Sequence, residues 1–169
     1  MRNIIFTILI VSVAMVSSQV RADEPLELPV QKTVSSPDSS IIAISDPVLS
    51  TTKIINNKTK KLLWQIPGWH RWLFVANDGK HVVTGYGGMN LIPRDYDKHM
   101  TLITFWRKGK KIKDVTLEEI VPNKSILQKT VSHYHWGGIQ EIDGQGRLIV
   151  KRADQKVLYY DLHTGHQIN

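Results

Sequence analysis

From residue 41 onward the apolar positions fall in short runs, and the three-to-four spacing of an amphipathic helix is missing. The runs lie at 41–44, 53–55, 62–66, 72–76, 81–84, 102–106, 147–151 and 157–160. Runs of that length, rich in β-branched and aromatic residues and bounded by Gly, Pro, Asn and Asp, predict β-strands. Asn77-Asp78-Gly79-Lys80 and Asp143-Gly144-Gln145-Gly146 read as hairpin turns, because Gly, Asn and Asp accept the positive φ of tight turns. One short helix is expected near 116–121: Thr116 and Glu119 stand at capping-box spacing, and Pro122 ends the segment. Ile103-Thr104-Phe105-Trp106 and Leu148-Ile149-Val150 place bulky residues on both faces of the pleat, the pattern of sheets covered on both sides. The expected class is all-β, with antiparallel four-stranded sheets stacked in layers.

The ends of the chain read differently. Arg2, then an uncharged run over 4–16, then small residues at Val20 and Ala22 form an export signal, with cleavage between Ala22 and Asp23. That apolar run is shorter than the roughly 20 residues needed to span a bilayer, so no stable membrane insertion is expected after cleavage. The protein is expected in the periplasm or secreted. Residues 23–40 hold Pro25, Pro29 and Pro37 among serines and charges, which reads as a flexible linker. A single β domain over 41–169 follows. The chain has no cysteine, so a disulfide framework and thiolate metal sites are ruled out. Of 22 basic residues, Arg2 and Arg21 leave with the signal, so 20 stand against 15 acidic ones. This moderate excess favours acidic partners or anionic surfaces, and an exported protein would not be expected to meet nucleic acid.

The sequence also repeats. Residues 54–63 can be laid on 159–168 without a gap, and 105–112 is a shorter version of the same element. The turn positions Lys60, Gly109 and Gly165 are separated by 49 and 56 residues, a period in the range of propeller blades. A tryptophan followed by Asp-Gly and a β-branched strand recurs as Trp72 with Asp78-Gly79, and as Trp136 with Asp143-Gly144. With these motifs the chain resembles β-propellers of the quinoprotein-like and WD-repeat-like kind, whose outer strand ends in Asp-x-x-Thr-Gly, as in Asp161-Leu162-His163-Thr164-Gly165. The resemblance implies about two blades, with a β-sandwich as the alternative arrangement. It implies architecture and not activity.

For chemistry, three features stand out. Trp69-His70-Arg71, Tyr86 and Trp136 combine aromatic planes with hydrogen-bonding groups at strand edges, as contact surfaces for proteins or glycans often do. Arg107, Lys108, Lys110 and Lys111, with Lys113, form a basic turn suited to steering an acidic partner. His133 and His135 put two imidazoles on one face of a strand, a candidate metal pair that lacks a marked third ligand. No Gly-x-Ser-x-Gly elbow, HExxH motif or phosphate loop is present, and Asp95 and Asp97 sit in a polar loop. The reading is therefore a binding module without cofactor, which leans away from an enzyme. Its expected partner is a protein, in an inhibitor, immunity or accessory role. A carbohydrate or cell-envelope ligand, a metal-dependent hydrolase and a homo-oligomer are the alternatives.

Overall fold

The computed structural model describes residues 26–168. The expected export signal and its cleavage point lie outside the described residues. Three four-stranded antiparallel sheets follow one another along the chain, with a three-stranded sheet beside them. The first is β1 (Lys32–Ser35), β2 (Ile41–Asp46), β3 (Thr51–Asn56) and β4 (Leu62–Pro67). The second is β5 (Leu73–Val75), β6 (His81–Gly85), β8 (Thr101–Arg107) and β9 (Lys110–Thr116). The third is β12 (Gly137–Ile142), β13 (Arg147–Arg152), β14 (Val157–Asp161) and β15 (Gln167–Ile168). In each the strands pair in chain order, which is the construction of a propeller blade. The described residues thus hold three blade-like sheets where the repeat spacing pointed to about two.

The additional sheet comes partly from the segment expected as linker. Residues 32–35 pair with β2, and Val34, opposite Ala43, packs against the core between the first two sheets. Of the prolines there that are described, Pro29 precedes β1 and Pro37 sits in the turn after it, so neither interrupts the ladder. The expected helix forms as α1 (Leu117–Ile120), with the Thr116 and Glu119 capping box in place and Leu117 and Ile120 buried.

Two apolar layers hold the sheets together. Between the first and second lie Ile41, Ala43 and Ile54 against Leu73, Val75 and Val82. Between the second and third lie Val83, Ile103, Phe105 and Val115 against Leu148, Val150, Leu158 and Tyr160. The middle sheet is therefore covered on both faces, as the alternation of Val82 with Val83 requires. Ile149 lies on the opposite pleat face from Leu148 and Val150, and it stays half-buried.

The proposed repeat is visible in hydrogen bonds. Oδ1 of Asn56 accepts from the backbone N–H and hydroxyl of Thr59 at 2.9 and 3.0 Å, and Oδ1 of Asp161 accepts from the same groups of Thr164 at 2.8 Å each. Lys60 and Gly165 then take left-handed backbone conformations, with φ of 58° and 68°. Lys108 and Gly109, with φ of 48° and 82°, make the shorter two-residue version between β8 and β9.

Strand alternation gives the molecule two ends. The turns after the first and third strands of each sheet gather at one end, where Asn77 accepts from the Asp38 N–H and Ser40 reaches the Asn77 carbonyl. The links between sheets lie at the other end. There β7 (Leu91–Pro93), β10 (Gln128–Lys129) and β11 (His133–His135) form the small sheet.

Candidate functional site

The Trp69-His70-Arg71 loop links the first sheet to the second, and it is anchored from two sides. Backbone bonds tie Gly68 to Ser50, while the His70 N–H donates to the buried Ser45 hydroxyl at 2.7 Å. From the other side comes the segment preceding β1. The Trp69 indole donates to the Val30 carbonyl at 2.7 Å, the Arg71 guanidinium donates to the Glu27 carbonyl, and the Lys32 ammonium donates to the Arg71 carbonyl at 3.2 Å. Arg71 also stands 5.0 Å over the Trp69 ring. His70 Nε2 donates to the Pro67 carbonyl, and desolvation holds this imidazole below its ordinary pKa, so it stays neutral near pH 7.

Held this way, the loop displays aliphatic groups on both flanks. Leu28 is 82% exposed and Val48 is 90% exposed, with Val30, Leu49 and Leu26 also open to solvent. Val48 and Leu49 form the tip of the β2–β3 turn, where both backbone N–H groups are fixed by the Asp46 carboxylate. No pattern in 23–40 or 46–50 singled these residues out, because single Leu and Val residues among prolines and serines do not read as a surface.

The other aromatic members are placed differently. Trp136 is fully buried, its indole donating to the Met89 carbonyl at 2.8 Å, so it supports the core and not a contact surface. Tyr86 is half-buried against the same core. The basic turn lies at the far end of the second sheet. Tyr86 bonds to Leu102 near the start of β8 and Arg107 ends that strand, a separation of about 17 Å at roughly 3.3 Å per residue. Arg107, Lys108, Lys110 and Lys111 are exposed, and Lys111 pairs with Asp114 at 2.6 Å. The aromatic loop and the basic turn therefore do not form one surface.

His133 and His135 lie on β11, both half-buried, and desolvation lowers the pKa of His135. Among the described residues, no group of three or more His, Cys, Asp or Glu side chains converges as a metal site. No helix among the described residues is long and apolar enough to cross a membrane.

A second concave place lies at the turn end, where turns of all three sheets meet around a cavity of about 320 Å³. Its lining includes Pro37, Asn77, Asp78, His81, Asp143, Arg147, Asp161 and His163. His81 is 1% exposed; its Nδ1 donates to Asp78 at 2.6 Å and its Nε2 has no partner. The His163 ring meets it edge-on, 4.6 Å between centroids. Arg147 is engaged by Asp143 at 2.7 Å and lies 4.6 Å over the Tyr159 ring. Burial alone would raise Asp78, Asp143 and Asp161, but hydrogen bonds from their own turns hold all three below the ordinary carboxylate value. This constellation spans 126 sequence positions from Pro37 to His163, so only the fold brings it together.

No family model matches the sequence, and no curated protein matches it. Among solved structures, the chain is similar to the RRP9 WD40 repeats at 14% identity and a TM-score of 0.46, over 86% of this chain and 39% of that one. It is similar to Kuenenia stuttgartiensis hydrazine synthase at 12% identity and a TM-score of 0.40, over 81% and 35% of the two chains. It is likewise similar to a eukaryotic initiation factor at 13% identity and a TM-score of 0.41, over 82% and 34%. The chain spans little more than a third of the length of each of these proteins, and at such identities the likeness is one of strand arrangement alone.

Proposed function

We propose that this protein is an exported, non-enzymatic binding module that docks a protein partner, in an inhibitor, immunity or accessory role, through the loop end of its first sheet. The observation that carries this reading is the aliphatic rim of Leu28, Val30, Val48 and Leu49 beside Trp69 and Arg71. Exposed apolar side chains gathered on a rigid support mark protein contact sites more than they mark ordinary surface. Each flank of the rim is rigid because backbone groups, and not only side chains, hold it to the Trp69 loop. Little loop-ordering entropy is then lost on docking.

A protein fits better than a glycan here. Sugar stacking uses an open aromatic face, and Arg71 occupies one face of Trp69 while the indole N–H is engaged by Val30. The groups left open are aliphatic. The paired change Val48→Asp with Leu49→Asp removes apolar surface from a solvent-exposed turn tip, so it should leave folding intact. It is expected to reduce capture of the partner from the exported fraction at least tenfold, by quantitative mass spectrometry against the unchanged protein. Equal recovery of every partner with both proteins would reject this surface.

A further inference from the structure

The three blade-like sheets share one register. Counted from the turn end, Ile42 opposite Ile55 in the first sheet stands where Val82 stands opposite Trp106 in the second and Leu148 opposite Tyr160 in the third. In the second and third sheets this pair packs on the preceding sheet. In the first sheet it belongs to an open apolar face with Ile44 and Leu62, and Leu62 is 48% exposed. One residue further along, the pairs point the other way, as the pleat requires. Ala43 with Ile54 and Val83 with Phe105 pack on the following sheet, whereas Ile149 with Tyr159 lie on the outer face of the third. Among the described residues no fourth blade-like sheet covers either open face.

We propose that the outer face of the third sheet docks on the open face of the first sheet in a second copy of this chain, so that two copies close a ring of six sheets. The register makes the two open faces the missing halves of the contact that already joins the first sheet to the second and the second to the third. Charge agrees with this pairing. Asp46 ends β2 on the open face of the first sheet, and Lys151 stands on β13, the corresponding strand of the third, one residue level short of the same place. Lys53 balances Asp46 on the one face, and Glu141 and Asp161 balance Arg147 and Lys151 on the other, so neither face repels its counterpart. The first strands β1, β5 and β12 lie against one another, so the sheets fan out from a common axis. Rings of such sheets close at roughly four to eight. One copy supplies too few sheets and three supply too many, while two copies fall inside that range, and the head-to-tail contact, made twice, closes by a two-fold rotation. With strands about 4.8 Å apart and about 3.3 Å per residue, the four docked faces bury roughly 1,300 Å², which lies within the range of about 1,200–2,000 Å² for stable interfaces. This contact uses neither the aliphatic rim nor the Trp69 loop, so it does not rest on the proposed partner surface.

The test joins light scattering on size-exclusion eluates to cross-linking of the purified protein. The chain has no cysteine, so the thiols of Gln65→Cys and Ile168→Cys are unique. Gln65 lies on the outer strand of the first sheet beside Lys53, and Ile168 lies on the outer strand of the third beside Tyr159, so each marks the rim of one open face. The mass of two chains is expected, with a covalent dimer when a short bis-maleimide treats the double variant and none when it treats either single variant. Ile44→Asp and Ile149→Asp each bury a charge in the contact. Each is expected to weaken dimerisation at least tenfold while its circular dichroism spectrum matches that of the unchanged protein. A monomer at every concentration would overturn the proposal and leave the open face to a different protein. Cross-linking of one single variant to itself, an open series of larger masses, or unaltered dimerisation in folded Ile44→Asp and Ile149→Asp would overturn it as well.

Discussion

Single residues show where the repeat is followed and where it is strained. Lys60 takes the position that Gly165 takes in the third sheet, at φ 58°, where a side chain clashes with its own backbone. The left-handed conformation costs a residue with a Cβ about 1–2 kcal/mol, of which glycine's greater freedom in the unfolded chain offsets roughly half. Lys60→Gly should therefore stabilise the protein by about 1 kcal/mol, read as an increased urea midpoint. The Lys60 ammonium's contact with Asn57 is exposed and takes little from that gain. A lower midpoint would mean that the lysine side chain does more than fill the turn. Pro67-Gly68 beside aromatic and basic residues marks a loop in sequence, and the structure places Trp69 and Arg71 half-buried in the link between the first two sheets. Trp136 reads from sequence both as a core tryptophan and as a contact residue, since a tryptophan before two glycines looks alike whether the glycines give it room outside or admit it to the core, and the structure buries it.

At the level of strands, apolar runs revealed the inner strands of the four-stranded sheets and the edge strands β4 and β5, but missed the edge strands β1, β9, β12 and β15. β9 carries Lys110, Lys111, Lys113 and Asp114, the charges that protect an outer strand from pairing with another chain, so it read as a basic turn and not a strand. β12 opens with Gly137, at φ 130°, where any Cβ would lie 2.3 Å from the Lys151 carbonyl oxygen. The glycine that the strand needs is the residue that made it look like a loop. β1 was hidden by the prolines and serines around it. A chain begun at Ile41 should accordingly lose β1, uncover Ala43 and Ile41, and melt at least 10 °C lower than a chain begun at Asp23. Matching thermal transitions for the two would return residues 23–40 to the role of a linker.

For the whole molecule, stacking of consecutive sheets was legible because the middle sheet has bulky residues on both pleat faces. The meeting of distant turns at one end was not, because Asp78 and His163 are 85 positions apart and neither turn signals the other. Stacking also sets the pH response. His70 and His135 have pKa values lowered from 6.5 by burial, so the unfolded chain binds protons more readily, and stability falls as pH drops below about 6.5. Asp78, Asp143 and Asp161 are held below 3.8, so their contribution is complete above that value and is lost as pH falls beneath it. The two effects have the same sign. Unfolding free energies from urea titrations should decrease from pH 7.5 to 5.5 and again to 3.0, and a protein more stable at pH 5.5 than at 7.5 would contradict the burial of these histidines.

The claim on which the function rests is that the partner docks at the loop end of the first sheet and not on the basic turn. Amide hydrogen exchange of the protein, free and in complex with its captured partner, measures this directly. Protection is expected in 26–30, 46–50 and 68–71, with exchange in 107–111 unchanged. Protection confined to 107–111, or spread away from the Trp69 loop, would show that the aliphatic rim is not the contact surface.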